Sequence, residues 1–237
     1  MPHIFLDPNL PGITSLLAYR RETAKPLMDL AEELLRGESP LTRGERELIA
    51  AYVSEHNDCE FCAASHGACA AVLLPEGTPL VDQVRKDPDQ APISAKLRAL
   101  LAIAGAVADG GWAVKDEHIA AARAAGAEDR DIHDTVLVAA AFCMYNRYVD
   151  GLATLTPHDP AAYAMMAERL VSQGYQAPRP GAPGAVTGGG AGMGSGEGNA
   201  AEPQAAPTPA QAAPAPAPAQ AQAQPKRSFV SRLLGSK

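Results

Sequence analysis

Charge and aromatic side chains are both scarce in this 237-residue chain: 20% of residues are charged, 5% are aromatic, and Trp112 is the single tryptophan. The formal charge of −7 leaves no basic, aromatic-studded stripe, which excludes nucleic-acid binding as the work of the folded part. No stretch reaches the ~18 consecutive apolar residues that a membrane span needs. From Met1 to Leu17 no cationic region leads into an apolar one, so a secretory signal is not expected and the protein is read as cytoplasmic. Four cysteines in that reducing compartment argue against a structural disulfide framework and toward redox or metal chemistry.

Glycine and proline are plentiful but unevenly placed. Ten of the 21 prolines and nine of the 21 glycines fall between Ala177 and Pro225, with only Arg179, Glu197 and Glu202 charged there. Such a stretch cannot bury a core and reads as a disordered linker, Gly-rich first and Ala-Pro-Gln-rich later. Its 49 residues reach on the order of 40 Å as a flexible coil. Charge divides at the same point, with −10 on residues 1–176 and +3 on residues 177–237. The expected organisation is a helical domain over 1–176, a linker over 177–225 and a terminal peptide over 226–237.

Strand signals are missing from the first part, whose Ala- and Leu-rich segments repeat at helical spacing. One helix is expected from Thr14 to Leu35 despite Pro26, and a second after Thr42, where Glu45 completes a capping box. A third is expected over Cys59 to Leu73, with Asn57 or Asp58 as its cap. Further helices are expected over Leu80–Arg85, Ser94–Ala108, Lys115–Ala124, Ala127–Gly151 and Ala161–Val171. Leu97, Leu100, Leu101, Ala104 and Val107 form a core face, and the fold class is an all-α bundle. Trp112, after Gly110-Gly111, reads as a packing anchor in a loop.

Chemistry concentrates in Glu47-LIAAYVSEHND-Cys59-EF-Cys62-AAS-His66. At about 100° per residue, Cys59, Cys62, His66 and Cys69 share a stripe roughly 80° wide. Cysteines one turn apart at a helix start can react and then close a disulfide, and the helix N-terminus favours a thiolate there. His66 is placed to take the thiol proton, and Glu47 on the preceding helix to orient the imidazole or pass the proton on.

Two other readings of these residues stand beside this one. In the first, Cys59, Cys62 and His66 hold zinc with Cys69 or His56 as a fourth ligand; in the second, the cysteines are small buried hydrophobes, as Cys69 and Cys143 are expected to be. His118 and His133 read as solvated, and His3 and His158 carry no signal. Asn146, Arg147 and Asp150 read first as ordinary ion-pairing residues, with a wall of the site or a subunit contact as the other reading.

The Glu-x11-Cys-x2-Cys-x3-His pattern resembles the active-site motif of the alkylhydroperoxidase D and carboxymuconolactone decarboxylase superfamily, in particular its peroxidase-related members. GERELIAAYVSEHNDCEFCAASH and the later AFCMYNRYVDGL carry the resemblance, over roughly residues 10–173. It implies an alkylhydroperoxidase D-like helical bundle assembled as trimers or hexamers, a hydroperoxide substrate, a thiol reductant or reductase, and no metal or organic cofactor. Carried over, Cys62 attacks peroxide and becomes the sulfenic acid, Cys59 resolves it as a disulfide, and His66 and Glu47 relay the proton. Phe61 departs from the pattern, because alkylhydroperoxidase D has a second histidine just before the later cysteine. True decarboxylases of the superfamily do not depend on the cysteine pair, so its presence favours redox chemistry. A thiol-disulfide oxidoreductase without a dedicated peroxide substrate is the nearest enzymatic alternative.

The last twelve residues, KRSFVSRLLGSK, return to apolar side chains after the linker, with Phe229, Val230, Leu233 and Leu234 on one side. An apolar patch on a tether reads as a docking peptide. Linker and peptide together resemble encapsulin cargo proteins, the match falling on Leu233, Leu234, Gly235 and Ser236. That resemblance implies an encapsulin shell protein as partner and an encapsulin nanocompartment as location. Weak binding to an anionic membrane and docking to another soluble protein are the other uses of such a tip.

Overall fold

Thr42 begins a helix for the reason its spacing to Glu45 predicts. Its hydroxyl accepts the Glu45 backbone N–H at 3.2 Å while the Glu45 carboxylate accepts the Thr42 N–H at 2.8 Å, closing both halves of a capping box. In the computed structural model, which describes residues 1–176, this helix is α3, Arg43–His56, and it runs through the middle of the domain. Around it in chain order are α1 (Ile13–Tyr19), α2 (Arg21–Arg36), α4 (Glu60–Leu73), α5 (Thr78–Lys86), α6 (Ala95–Asp109), α7 (Asp116–Ala124), α8 (Asp129–Gly151) and α9 (Pro160–Gln173). Among the described residues there is no strand, as expected, and no helix long and apolar enough to cross a membrane. The linker and the peptide holding Phe229, Val230, Leu233, Leu234, Gly235 and Ser236 lie outside the described residues.

The main core lies where α3, α6 and α8 meet. Leu48, Ile49 and Val53 from α3, Leu100, Leu101 and Ile103 from α6, and Val138 and Phe142 from α8 are all buried. Each such side chain contributes about 1.5–3 kcal/mol by leaving water, so this apolar contact sets the bundle. A smaller cluster of Leu6, Leu16, Cys59, Phe61, Cys62, Val149 and Tyr163 forms against it and carries the cysteines.

The first helix differs from the expectation of one element over Thr14–Leu35. The chain breaks at Arg20, whose backbone is extended (φ −127°, ψ 92°), and Pro26 sits inside α2 without marking the break. Leu16 belongs to the cysteine cluster and Leu35 to the main core. The break lets each half reach its own cluster. Trp112 also departs from its reading as a packing anchor: it is 77% exposed, with the Lys115 ammonium over its ring.

Candidate active site

The turn between α3 and α4 places the dithiol. Asn57 ends α3, and Asp58 turns the chain through a left-handed conformation (φ 57°), leaving Cys59 as the residue before α4 and Cys62 one turn inside it. The expectation that Asn57 or Asp58 caps α4 is therefore overturned, since no side chain caps it. The Asn57 amide is engaged elsewhere, donating to Asn146 Oδ1 at 2.9 Å. Both cysteines are free thiols. A bond between them shares their proton unequally. It draws Cys62 below the ordinary thiol range, helped against burial by the His66 imidazole and the Asn146 amide. The same bond, together with burial, pushes Cys59 far up. In this pair Cys59 is the donor to the Cys62 sulfur, which favours the thiolate at Cys62.

His66 follows one turn after Cys62, and its Nδ1 lies 2.8 Å from Glu47 Oε2. Glu47 is 3% exposed, so its carboxylate depends on protein donors. A second donor is the Tyr175 hydroxyl, 2.6 Å from Oε1. Taken out of water and set on a carboxylate, that hydroxyl is held well above its usual value and stays a donor. With Glu47 accepting, His66 Nδ1 carries the hydrogen of their bond, and Nε2 is the nitrogen left to exchange a proton. The Phe142 edge fixes the other side of the imidazole, with ring centroids 4.5 Å apart.

α8 supplies a third wall through Phe142, Asn146 and Asp150, spaced four residues apart on one face. Asn146 is 1% exposed and donates to Ser54 Oγ at 2.9 Å while accepting from Asn57, tying α8 to the α3–α4 turn. Asp150, though exposed, reaches Cys59, and partial desolvation raises its carboxyl against that bond. The ion-pair reading of these residues is thus corrected: Asn146 and Asp150 face the dithiol, and Arg147 bonds the Cys143 carbonyl of its own helix at 2.8 Å.

A cavity of about 80 Å³ opens beside Cys62 and His66, between α1, α2, α4, α8 and α9. Its wall is mostly apolar, with Ile13, Leu17, Leu27, Met28 and Leu170 among the lining residues. Cys62 borders this space and Cys59 does not, being wholly buried behind it. Phe61 stands in the wall and packs on Tyr163, with centroids 6.1 Å apart. It also needs Gly12: a Cβ there would lie 2.1 Å from the ring, and the backbone at Gly12 is left-handed (φ 52°).

The structure thus brings together all four residues singled out from the motif, Glu47, Cys59, Cys62 and His66. The zinc set is not gathered: among the described residues no three His, Cys, Asp or Glu side chains are placed to hold a metal ion. His56 turns to Asp109, with Nε2 2.9 Å from Oδ1. Cys69 is buried with its thiol pushed up by desolvation, and Cys143 is half-buried beside Asn57. Two residues that bear on the site, Tyr175 and Arg169, were missed in the sequence. Neither lies near the motif, and Tyr175 borders the linker, where no helical pattern points inward.

The model of the carboxymuconolactone decarboxylase family matches residues 21–71 and 80–156, more than half of the chain. This chain belongs to that family. Two solved structures resemble this carboxymuconolactone decarboxylase family member at a TM-score of 0.59. One is an alkylhydroperoxidase AhpD core, peroxidase-related protein from Ralstonia eutropha JMP134, 26% identical over 66% of this chain and 80% of its own. The other is a peroxidase-related protein from Silicibacter sp. TM1040, 28% identical over 65% of this chain and 78% of its own. They share the all-helical, alkylhydroperoxidase D-like fold. No curated protein matches the chain.

Proposed function

We propose that this protein is a thiol-dependent peroxidase that reduces hydroperoxides through a Cys59–Cys62 dithiol/disulfide cycle. The observation that carries the reading is the asymmetry of the pair: the thiol with the lowered pKa, Cys62, borders the cavity, and its donor, Cys59, is sealed behind it. His66 Nε2 takes the Cys62 proton, and the thiolate attacks the terminal peroxide oxygen as the O–O bond breaks. Sulfur is oxidised by two electrons to the sulfenic acid, and the leaving alkoxide takes a proton from His66. Cys59 then attacks the Cys62 sulfur, forming the S–S bond and releasing water. Asp150 is the nearby carboxylate that steers the Cys59 proton. A thiol reductant or reductase restores the pair. Glu47, held by Tyr175, keeps His66 in the working tautomer.

The peroxidase-related names of the structural neighbours support this class of chemistry. The apolar wall at Phe61 leaves the relay with one histidine. Assembly as a homo-oligomer, trimer or hexamer, belongs to the same proposal. So does delivery by residues 226–237 to an encapsulin shell, which rests on the sequence resemblance.

The test is to add one equivalent of tert-butyl hydroperoxide to fully reduced protein and follow peroxide loss, free thiols and intact mass. Stoichiometric loss with a Cys59–Cys62 disulfide is expected. Cys62→Ser should abolish it, and Cys59→Ser should stop at the sulfenic acid. Unchanged thiols in the native protein would refute the reading.

A further inference from the structure

The cavity has one cationic residue in its largely apolar wall. Met166, Arg169 and Leu170 follow at helical spacing on the face of α9 that lines it. The arginines nearest to Arg169 along this wall are engaged. Arg36 bonds Glu32 and the carbonyls of Leu170 and Val171, and Arg43 bonds the Val171 carbonyl. The Arg169 guanidinium, only partly exposed, has no acceptor among the described residues. A guanidinium drawn partly out of water on an apolar wall loses hydration that no such acceptor returns. Its planar fork matches a carboxylate.

We propose that the cavity takes an organic hydroperoxide that carries a carboxylate, with the carboxylate on Arg169, a small alkyl body against Leu17, Leu27 and Met28, and the peroxide at Cys62. This rests on the peroxidase reading above and names its substrate class. The balance is unchanged. Cys62 gains the terminal oxygen, the hydroxy acid leaves after protonation by His66, and the anionic end stays on Arg169 throughout. Arg169 is a specificity residue that touches the substrate away from the reacting atoms.

The test compares 4-hydroperoxy-4-methylpentanoate, its methyl ester and tert-butyl hydroperoxide on the native protein, on Arg169→Gln and on Arg169→Lys. A native preference for the acid over the ester of about 10- to 100-fold in kcat/KM is expected, the range a charge-assisted hydrogen bond is worth. The preference should sit in KM, vanish in Arg169→Gln and return in part in Arg169→Lys. A second readout needs no turnover: the product 4-hydroxy-4-methylpentanoate should protect Cys62 from iodoacetamide, its ester should not, and Arg169→Gln should abolish the protection. Equal kcat/KM for acid and ester, with tert-butyl hydroperoxide consumed, overturns the anion site and leaves the peroxidase. Protection by the acid with no hydroperoxide consumed overturns the peroxidase reading, and with it this substrate, while the anion site stands.

Discussion

Replacing Cys59 by alanine removes the S–H that donates to Cys62, and the size of the effect follows from the geometry. A hydrogen bond to a charged, buried acceptor is worth about 1.5–3 kcal/mol, which at 1.36 kcal/mol per unit raises the Cys62 midpoint by about 1–2 units. The sign is fixed, because the lost donor stabilised only the thiolate. Below both midpoints the thiolate fraction falls by about 10- to 100-fold. A more basic thiolate is also a better nucleophile, by roughly threefold per unit, so the observed rate falls by about 3- to 12-fold. The assay is iodoacetamide labelling against pH, with Cys62 followed by peptide mass so that Cys69 and Cys143 do not enter. Cys59→Ser keeps a hydroxyl donor and should hold the midpoint near the native one. An unmoved midpoint in Cys59→Ala, or equal shifts in both variants, would refute the shared-proton account.

Glu47→Gln keeps the shape but presents an amide to two donors, and should lower kcat by about 10²- to 10⁴-fold, as expected when a proton-transfer group loses its orienting charge; stopped-flow peroxide consumption measures it. Asn146→Leu leaves Ser54 and Asn57 without their partner and should cost about 1–3 kcal/mol in urea unfolding, with a raised Cys62 midpoint. Gly12→Ala forces an L-residue into a left-handed conformation, at about 1–2 kcal/mol before any clash with Phe61. By calorimetry its Tm should fall by roughly 4 °C or more.

Most of the fold was legible because helical signals are local. The Thr42–Glu45 box and the apolar spacing of α6 each act within a few residues. The break at Arg20 was not, because it answers to two separate clusters claiming Leu16 and Leu35, a tertiary demand. The site divides the same way. Glu47, Cys59, Cys62 and His66 are visible because α3 and α4 are joined by a short turn, so spacing along the chain maps onto spacing in the site. Asn146 looks like a surface polar residue until α8 is packed across that turn, and Asp150, exposed as its pattern suggests, still reaches Cys59. Tyr175 is more than one hundred residues from Glu47, and nothing in its neighbourhood announces the carboxylate it meets.

The family match ends at residue 156, whereas α9 and Tyr175 come after it. A fragment cut to the matched region would keep the dithiol, His66 and Glu47, and would look complete by its motif. It would lack Met166, Arg169 and Leu170 from the wall of the cavity and the hydroxyl on Glu47 Oε1. The reacting atoms therefore belong to the matched part of the chain, whereas one wall of the enclosure around them, α9 with Tyr175, lies beyond it. Exchanging side chains along that wall is therefore a direct way to alter what the cavity admits while leaving the dithiol in place.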